Sequence, residues 1–145
     1  MTRAEKAKQY FLEGYACSQA VLLAFSDLTK VSQADLINLS LPFGGGLGRQ
    51  RLTCGAVSGM CMALGLILGE KNLSKAEVYE ETRKVCSRFK EAVGSLICEE
   101  LLKGANCQVE SGGSPEKRTE TYYKKRPCAD LVYLATEILS DYLLK

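Results

Sequence analysis

Seven cysteines, Cys17, Cys54, Cys61, Cys86, Cys98, Cys107 and Cys128, share a chain that has no histidine at all. Without imidazole there is no Ser-His-Asp or Cys-His nucleophile, no HExxH zinc site and no histidine-ligated haem. Sulfur is left as the soft, reactive group. As thiolate it attacks disulfides and binds metals. No two of the cysteines form CxxC, so neither a thioredoxin-type motif nor a zinc ribbon is present. Any joint site has to be assembled in space from separate segments.

Two of the thiols hold electrostatically special positions. Cys54 opens an apolar helix after Arg49 and Arg51, and Cys128 opens the final helix after Lys124, Lys125 and Arg126. Free N–H groups at a helix start carry about half a positive charge, and nearby cations add to it, so both positions favour thiolate. Cys17 and Cys98 fall on apolar helix faces, where an isolated thiol is harder to ionise. Cys61, Cys86 and Cys107 read as small core hydrophobes, with Cys61 two turns from Cys54 on the same face. Carboxylates offer no catalytic pair, because Glu99 and Glu100 are adjacent on a helix and diverge by about 100°.

The elements that must position these residues are helical. A chain of 145 residues, 46% apolar and 25% charged, suits one globular domain over residues 1–145. Ala4 to Leu28 carries apolar residues at helical spacing, and Gly14 kinks or divides it. Ser32 to Asp35 caps a short helix, and Pro42 with Gly44 to Gly48 ends it. Leu52 to Gly69 lacks any charged residue. Its four glycines, with Gly55 and Gly59 one turn apart and Gly65 and Gly69 likewise, make it a buried central helix that lets a backbone or a cofactor approach, rather than a bilayer span. Ser74 to Glu77 is a capping box that starts an amphipathic helix. Ser95 to Lys103 makes a shorter helix, residues 106–126 read as a surface loop, and Pro127 opens the last helix. The expectation is an all-α, single-domain helical bundle of five to seven helices around a glycine-rich central helix.

Three segments then fall into a known order. Gly14-Tyr15-Ala16-Cys17-Ser18-Gln19-Ala20, Phe43-Gly44-Gly45-Gly46-Leu47-Gly48 and Cys54-Gly55-Ala56-Val57-Ser58-Gly59 resemble the C_GCAxxG_C_C family of redox-active proteins. Phe89 to Cys98, followed by Leu101-Leu102, is similar to that family's third cysteine segment, and Cys128 with Leu131 and Val132 to its fourth. The resemblance implies a small helical domain defined by Cys17, Cys54, Cys98 and Cys128. Cys61, Cys86 and Cys107 lie outside the pattern.

Four converging thiolates in apolar surroundings need a cation to offset them. An iron–sulfur cluster, a [2Fe–2S]-type or related centre, or another thiolate-bound metal would supply it, with Gly55 and Gly59 leaving room beside the ligands. Electron transfer or redox sensing with a redox partner would follow. The rival is a thiol–disulfide protein without cofactor, in which Cys54 is the nucleophile and Cys17 resolves the mixed disulfide. A non-catalytic helical interaction module is a third possibility. Oxidoreductase and electron-transfer classes both stay open, as does assembly into a homo-oligomer.

Other classes fare worse. The glycine run is not GxxxxGK[ST] and follows no strand, so nucleotide binding is not expected. Glu116 and Glu120 dilute the basic residues between Lys117 and Arg126, which read as a solvated loop and not as a nucleic-acid surface. The first ten residues show no apolar stretch before a small-residue cleavage site. A cytoplasmic protein with reduced thiols is expected.

Overall fold

The computed structural model describes residues 1–144, and its helices pack around one hydrophobic core. α1 (Arg3–Leu12) starts from a capping box in which the Thr2 hydroxyl accepts from the Glu5 N–H and the Glu5 carboxylate accepts from the Thr2 N–H. Gly14, at φ +108°, ends it in a conformation that side chains avoid. The chain then restarts as α2 (Cys17–Leu23), so the stretch from Ala4 to Leu28 is two helices. The restart puts Cys17 at a helix start and no longer mid-helix, a position the periodicity alone did not reveal.

α2 is the buried axis of the molecule: every residue from Ser18 to Phe25 is buried. Its polar side chains are satisfied internally. Ser18 Oγ donates to the Ser40 carbonyl at 2.7 Å, and Gln19 Nε2 donates to the Ile37 carbonyl at 3.1 Å. Both acceptors lie on α3 (Gln33–Ser40), which Ser32 caps by accepting from the Asp35 N–H. Beyond α3 comes a left-handed turn through Gly45, Gly46, Leu47, Gly48 and Arg49, all at φ between +60° and +70°. A Cβ on Gly46 would meet the Leu52 backbone nitrogen at 2.6 Å, so only glycine lets the loop close on itself there.

α4 (Gly55–Leu68) is the glycine-rich central helix, packed on α2. The two pairs of glycines part company in it. A Cβ on Gly59 would lie 2.5 Å from the Ser18 carbonyl oxygen, whereas Gly65 and Gly69 have nothing within 4 Å. Only the first pair serves close approach. At 14 residues α4 is short, and no described helix is long and apolar enough to cross a membrane.

α5 (Lys75–Val93) begins at the Ser74–Glu77 capping box and ends at Gly94, φ +92°. Val85 and Phe89 are its buried residues, and its charged face is solvated. α6 (Cys98–Gly104) follows, then an irregular stretch. α7 (Glu120–Lys125) is a short helix within the segment expected to be loop, capped by Thr119, whose hydroxyl accepts from the Tyr122 N–H at 3.2 Å. α8 (Cys128–Leu143) lies along α1 and also touches α2, α4 and α5. Phe11, Phe25, Leu22, Met60, Phe89 and Leu139 are the large side chains sealed where these helices meet. The all-α expectation holds, with eight helices among the described residues; α7 is the one beyond the expected range.

Candidate functional site

Cys17, Cys98 and Cys128 are each the first residue of a helix, and Cys54 is the cap residue of α4. Four helix starts therefore meet at one place. Cys54 and Cys98 are brought side by side by a single antiparallel bridge between Thr53 and Ile97. Across it the Cys54 N–H donates to the Leu96 carbonyl at 2.8 Å, and the Cys98 N–H donates to the Leu52 carbonyl at 2.6 Å. Cys17 reaches the same place over Gly55. A Cβ on residue 55 would overlap the Cys17 sulfur and come within 3.0 Å of the Phe43 carbonyl oxygen, so the glycine beside Cys54 is what admits Cys17.

All four cysteines line one cavity of about 280 Å³. Apolar walls come from Phe11, Leu101, Leu102 and Leu131; the charged walls are Arg49, Arg51, Arg118, Arg126 and Glu116. Four guanidinium groups against one carboxylate leave these walls with a net positive charge. Arg51, buried and at φ +61°, points one guanidinium nitrogen at the Cys98 sulfur, 3.8 Å away, and donates from Nε to the Glu110 carbonyl at 2.8 Å. Glu116 gathers Arg49 at 3.6 Å, Arg51 at 3.7 Å, and Arg126 more closely still. Arg118 stacks over the Phe11 ring at 4.0 Å and donates to the Phe11 and Tyr15 carbonyls at 2.8 and 3.0 Å. Arg49 Nε is buried and has no hydrogen-bond partner among the described residues.

At Cys17, Cys54 and Cys128 burial works against ionisation at a helix start. Burial pushes the Cys54 thiol well above its ordinary value, and the neighbouring Cys17 adds to it; the N–H groups of Ala56 and Val57 oppose this only in part. Burial likewise raises Cys17, against the N–H of Gly45. Cys128 is pushed up to about 12, first by burial and then by Cys17 and Cys98, despite Arg126 and Arg118. The expected preference for thiolate at Cys54 and Cys128 is thus overturned. Removing a small group from water outweighs partial charges and cations at this depth.

Of the residues singled out from sequence, Cys17, Cys54, Cys98, Cys128 and Gly55 line the cavity. Gly59 lies one turn on, against Ser18 and Val21 of α2, and does not line it. Cys61 and Cys86 pair elsewhere, on α4 and α5, with their sulfurs 3.6 Å apart. Cys107 donates to the Lys125 carbonyl at 3.1 Å and ties the irregular stretch to α7. Sequence reading missed Glu116 and Arg118 as walls of the site. The segment of Glu116 and Arg118 was visible as a charge run, but solvation was the wrong account of Arg118, whose guanidinium covers a core aromatic ring. Among the described residues, no three His, Cys, Asp or Glu side chains are gathered closely enough to hold one metal ion.

No curated protein and no solved structure matches the chain. One family model does, described as "Putative redox-active protein (C_GCAxxG_C_C)", over residues 15–142. That span takes in all four cavity cysteines, and the chain belongs to the C_GCAxxG_C_C family.

Proposed function

We propose that Cys17, Cys54, Cys98 and Cys128 work as one redox centre and hold an iron–sulfur cluster for electron transfer or redox sensing. The observation that carries this reading is the shared cavity: four cysteines from four helix starts, walled by guanidinium groups. The donor set fits the chemistry, since an all-thiolate site without histidine suits iron–sulfur ligation. The same all-thiolate donor set would also hold structural zinc, and metal analysis separates the two. When bound, an iron–sulfur cluster supplies one-electron oxidation and reduction.

The chain's own contributions are specific. The cavity arginines offset the charge of four thiolates, which burial alone would forbid. Arg51 acts at the Cys98 sulfur, and the Gly45 N–H faces Cys17. Gly55 gives the Cys17 sulfur its place beside Cys54. The buried Arg49 Nε has a donor to spare for an acceptor in the cavity. Anaerobic reconstitution with iron and sulfide tests the reading. Bound iron and acid-labile sulfide with visible absorption are expected, and each of C17S, C54S, C98S and C128S should lower both. Protein that takes up neither would overturn it.

The crowding of Cys17 against the residue after Cys54 favours a second reading, a Cys54–Cys17 dithiol that cycles through a disulfide. Its nucleophile would be slow, because burial keeps both thiols protonated. Metal-free protein in which mild oxidant joins these two cysteines would favour that reading over the first.

A further inference from the structure

Cys61 and Cys86 lie outside the four-cysteine pattern, yet the fold sets them against each other. Cys61 sits in the middle of α4 and Cys86 on the inner edge of α5, with 3.6 Å between sulfurs. Both are only half-buried, so a small reagent can reach them. The geometry points to a second redox site, a Cys61–Cys86 dithiol that closes to a disulfide on meeting a small-molecule disulfide. Neither residue lines the cavity of the other four cysteines, so the two sites are separate.

Closing the bond needs little movement. A disulfide places its sulfurs about 2.05 Å apart, and the two here already touch from facing helices. Either sulfur can be the donor in the S–H···S contact between them. That contact raises Cys61, with burial adding to the rise, and lowers Cys86. The step is therefore written with Cys86 attacking and Cys61 resolving; exchanging the two roles gives the same product.

With glutathione disulfide as oxidant the step balances. The Cys86 thiolate attacks one glutathione sulfur; the glutathione S–S bond breaks, and one glutathione thiolate leaves and takes a proton. Cys61 then loses its proton to solvent, and its sulfur attacks Cys86 Sγ in the mixed disulfide, expelling the second glutathione. Two cysteine thiols lose two electrons and two protons between them, and one small disulfide becomes two thiols.

The test uses the whole chain, reduced, freed of reductant and exposed anaerobically to glutathione disulfide. It is then alkylated and cut with trypsin without reduction. Cleavage at Arg51, Lys71, Lys84 and Arg88 places the two cysteines on peptides 52–71 and 85–88. The expected product is these peptides joined, lighter by two hydrogens than their sum, with fragment ions that put the bond on Cys61 and not on Cys54. C61S should lose the product, and dithiothreitol should return the separate peptides. Cys61 and Cys86 both fully alkylated, carried only as separate glutathione adducts, or joined to other cysteines would each overturn the inference. None of these outcomes depends on what the cavity cysteines bind.

Discussion

A methyl group on residue 55 has no room, because it would overlap the Cys17 sulfur. G55A should therefore drive the Cys17 side chain off its present position, destabilise the protein by about 1–3 kcal/mol, and abolish iron loading. G59A supplies the contrast. Its Cβ would press on the Ser18 backbone oxygen at 2.5 Å, so α2 must shift and stability falls comparably, but residue 59 does not line the cavity. Its folded fraction should still load. Denaturant melts with iron analysis on both variants check this; equal loading by the two would separate Gly55 from the site. Arg51 makes a different prediction. Removing its charge from beside the Cys98 sulfur, as in R51M, disfavours the more negative reduced state. The potential of a loaded centre should fall by on the order of 50 mV, read by spectroelectrochemical titration. An unchanged value would mean that Arg51 serves packing alone. Arg49, Arg51 and Arg126 were legible as partners of the cysteines because they stand close to them in the chain. Arg118 was not: it reaches the cavity by stacking on Phe11 from 107 residues away, and no local pattern encodes that.

The devices at the scale of elements vary in how openly the sequence carries them. The Ser74–Glu77 capping box and the stop at Gly94 are local chemistry, and both appear where the residues place them. The Thr53–Ile97 bridge is not local. It joins two short extended pieces just ahead of two helices, with no alternation to announce it, yet it makes Cys54 and Cys98 neighbours. The same limit hid the first-turn position of Cys98. The stretch Ser95 to Lys103 has helical composition throughout, but pairing with residues 51–54 delays the helix start to residue 98. Glycine spacing misled in another way. Gly65 and Gly69 repeat the interval of Gly55 and Gly59, but no neighbour comes near them. An exposed glycine inside a helix with open space at its Cβ is a weakness with no compensating contact. G65A should accordingly stabilise the protein by about 0.5–1 kcal/mol, measured as a higher urea midpoint at constant slope. A loss of stability would show that this face of α4 is covered by something other than solvent.

Net charge for the whole molecule is only +2, a figure that conceals how cations are distributed. Four arginines and one glutamate converge on a cavity lined by four thiols, and there burial still wins over charge. A consequence follows for stability against pH. Cys17, Cys54 and Cys128 hold their protons more tightly in the folded metal-free protein than in the unfolded chain, with Cys128 raised from 9.0 to about 12. A folded pKa above the unfolded one gives stability that is complete below the unfolded value and is lost as pH climbs toward the folded one. The reduced, metal-free protein should thus be insensitive to pH through these groups up to about pH 8, and weaken above about pH 9. Each such thiol removes ~1.4 kcal/mol per pH unit until it ionises in the folded state. Urea midpoints at pH 7.5, 9 and 10 measure the fall, and C128S, which keeps the volume without the ionisation, should show a shallower one. An identical slope in C128S would mean that Cys128 is not held as a buried thiol. Loading with iron and sulfide must reverse the sign, since ligation expels the same protons and is favoured by higher pH. Metal-free protein should lose stability between pH 9 and 10 while loaded protein does not, and that divergence connects the burial of the four thiols to the cofactor proposed for them.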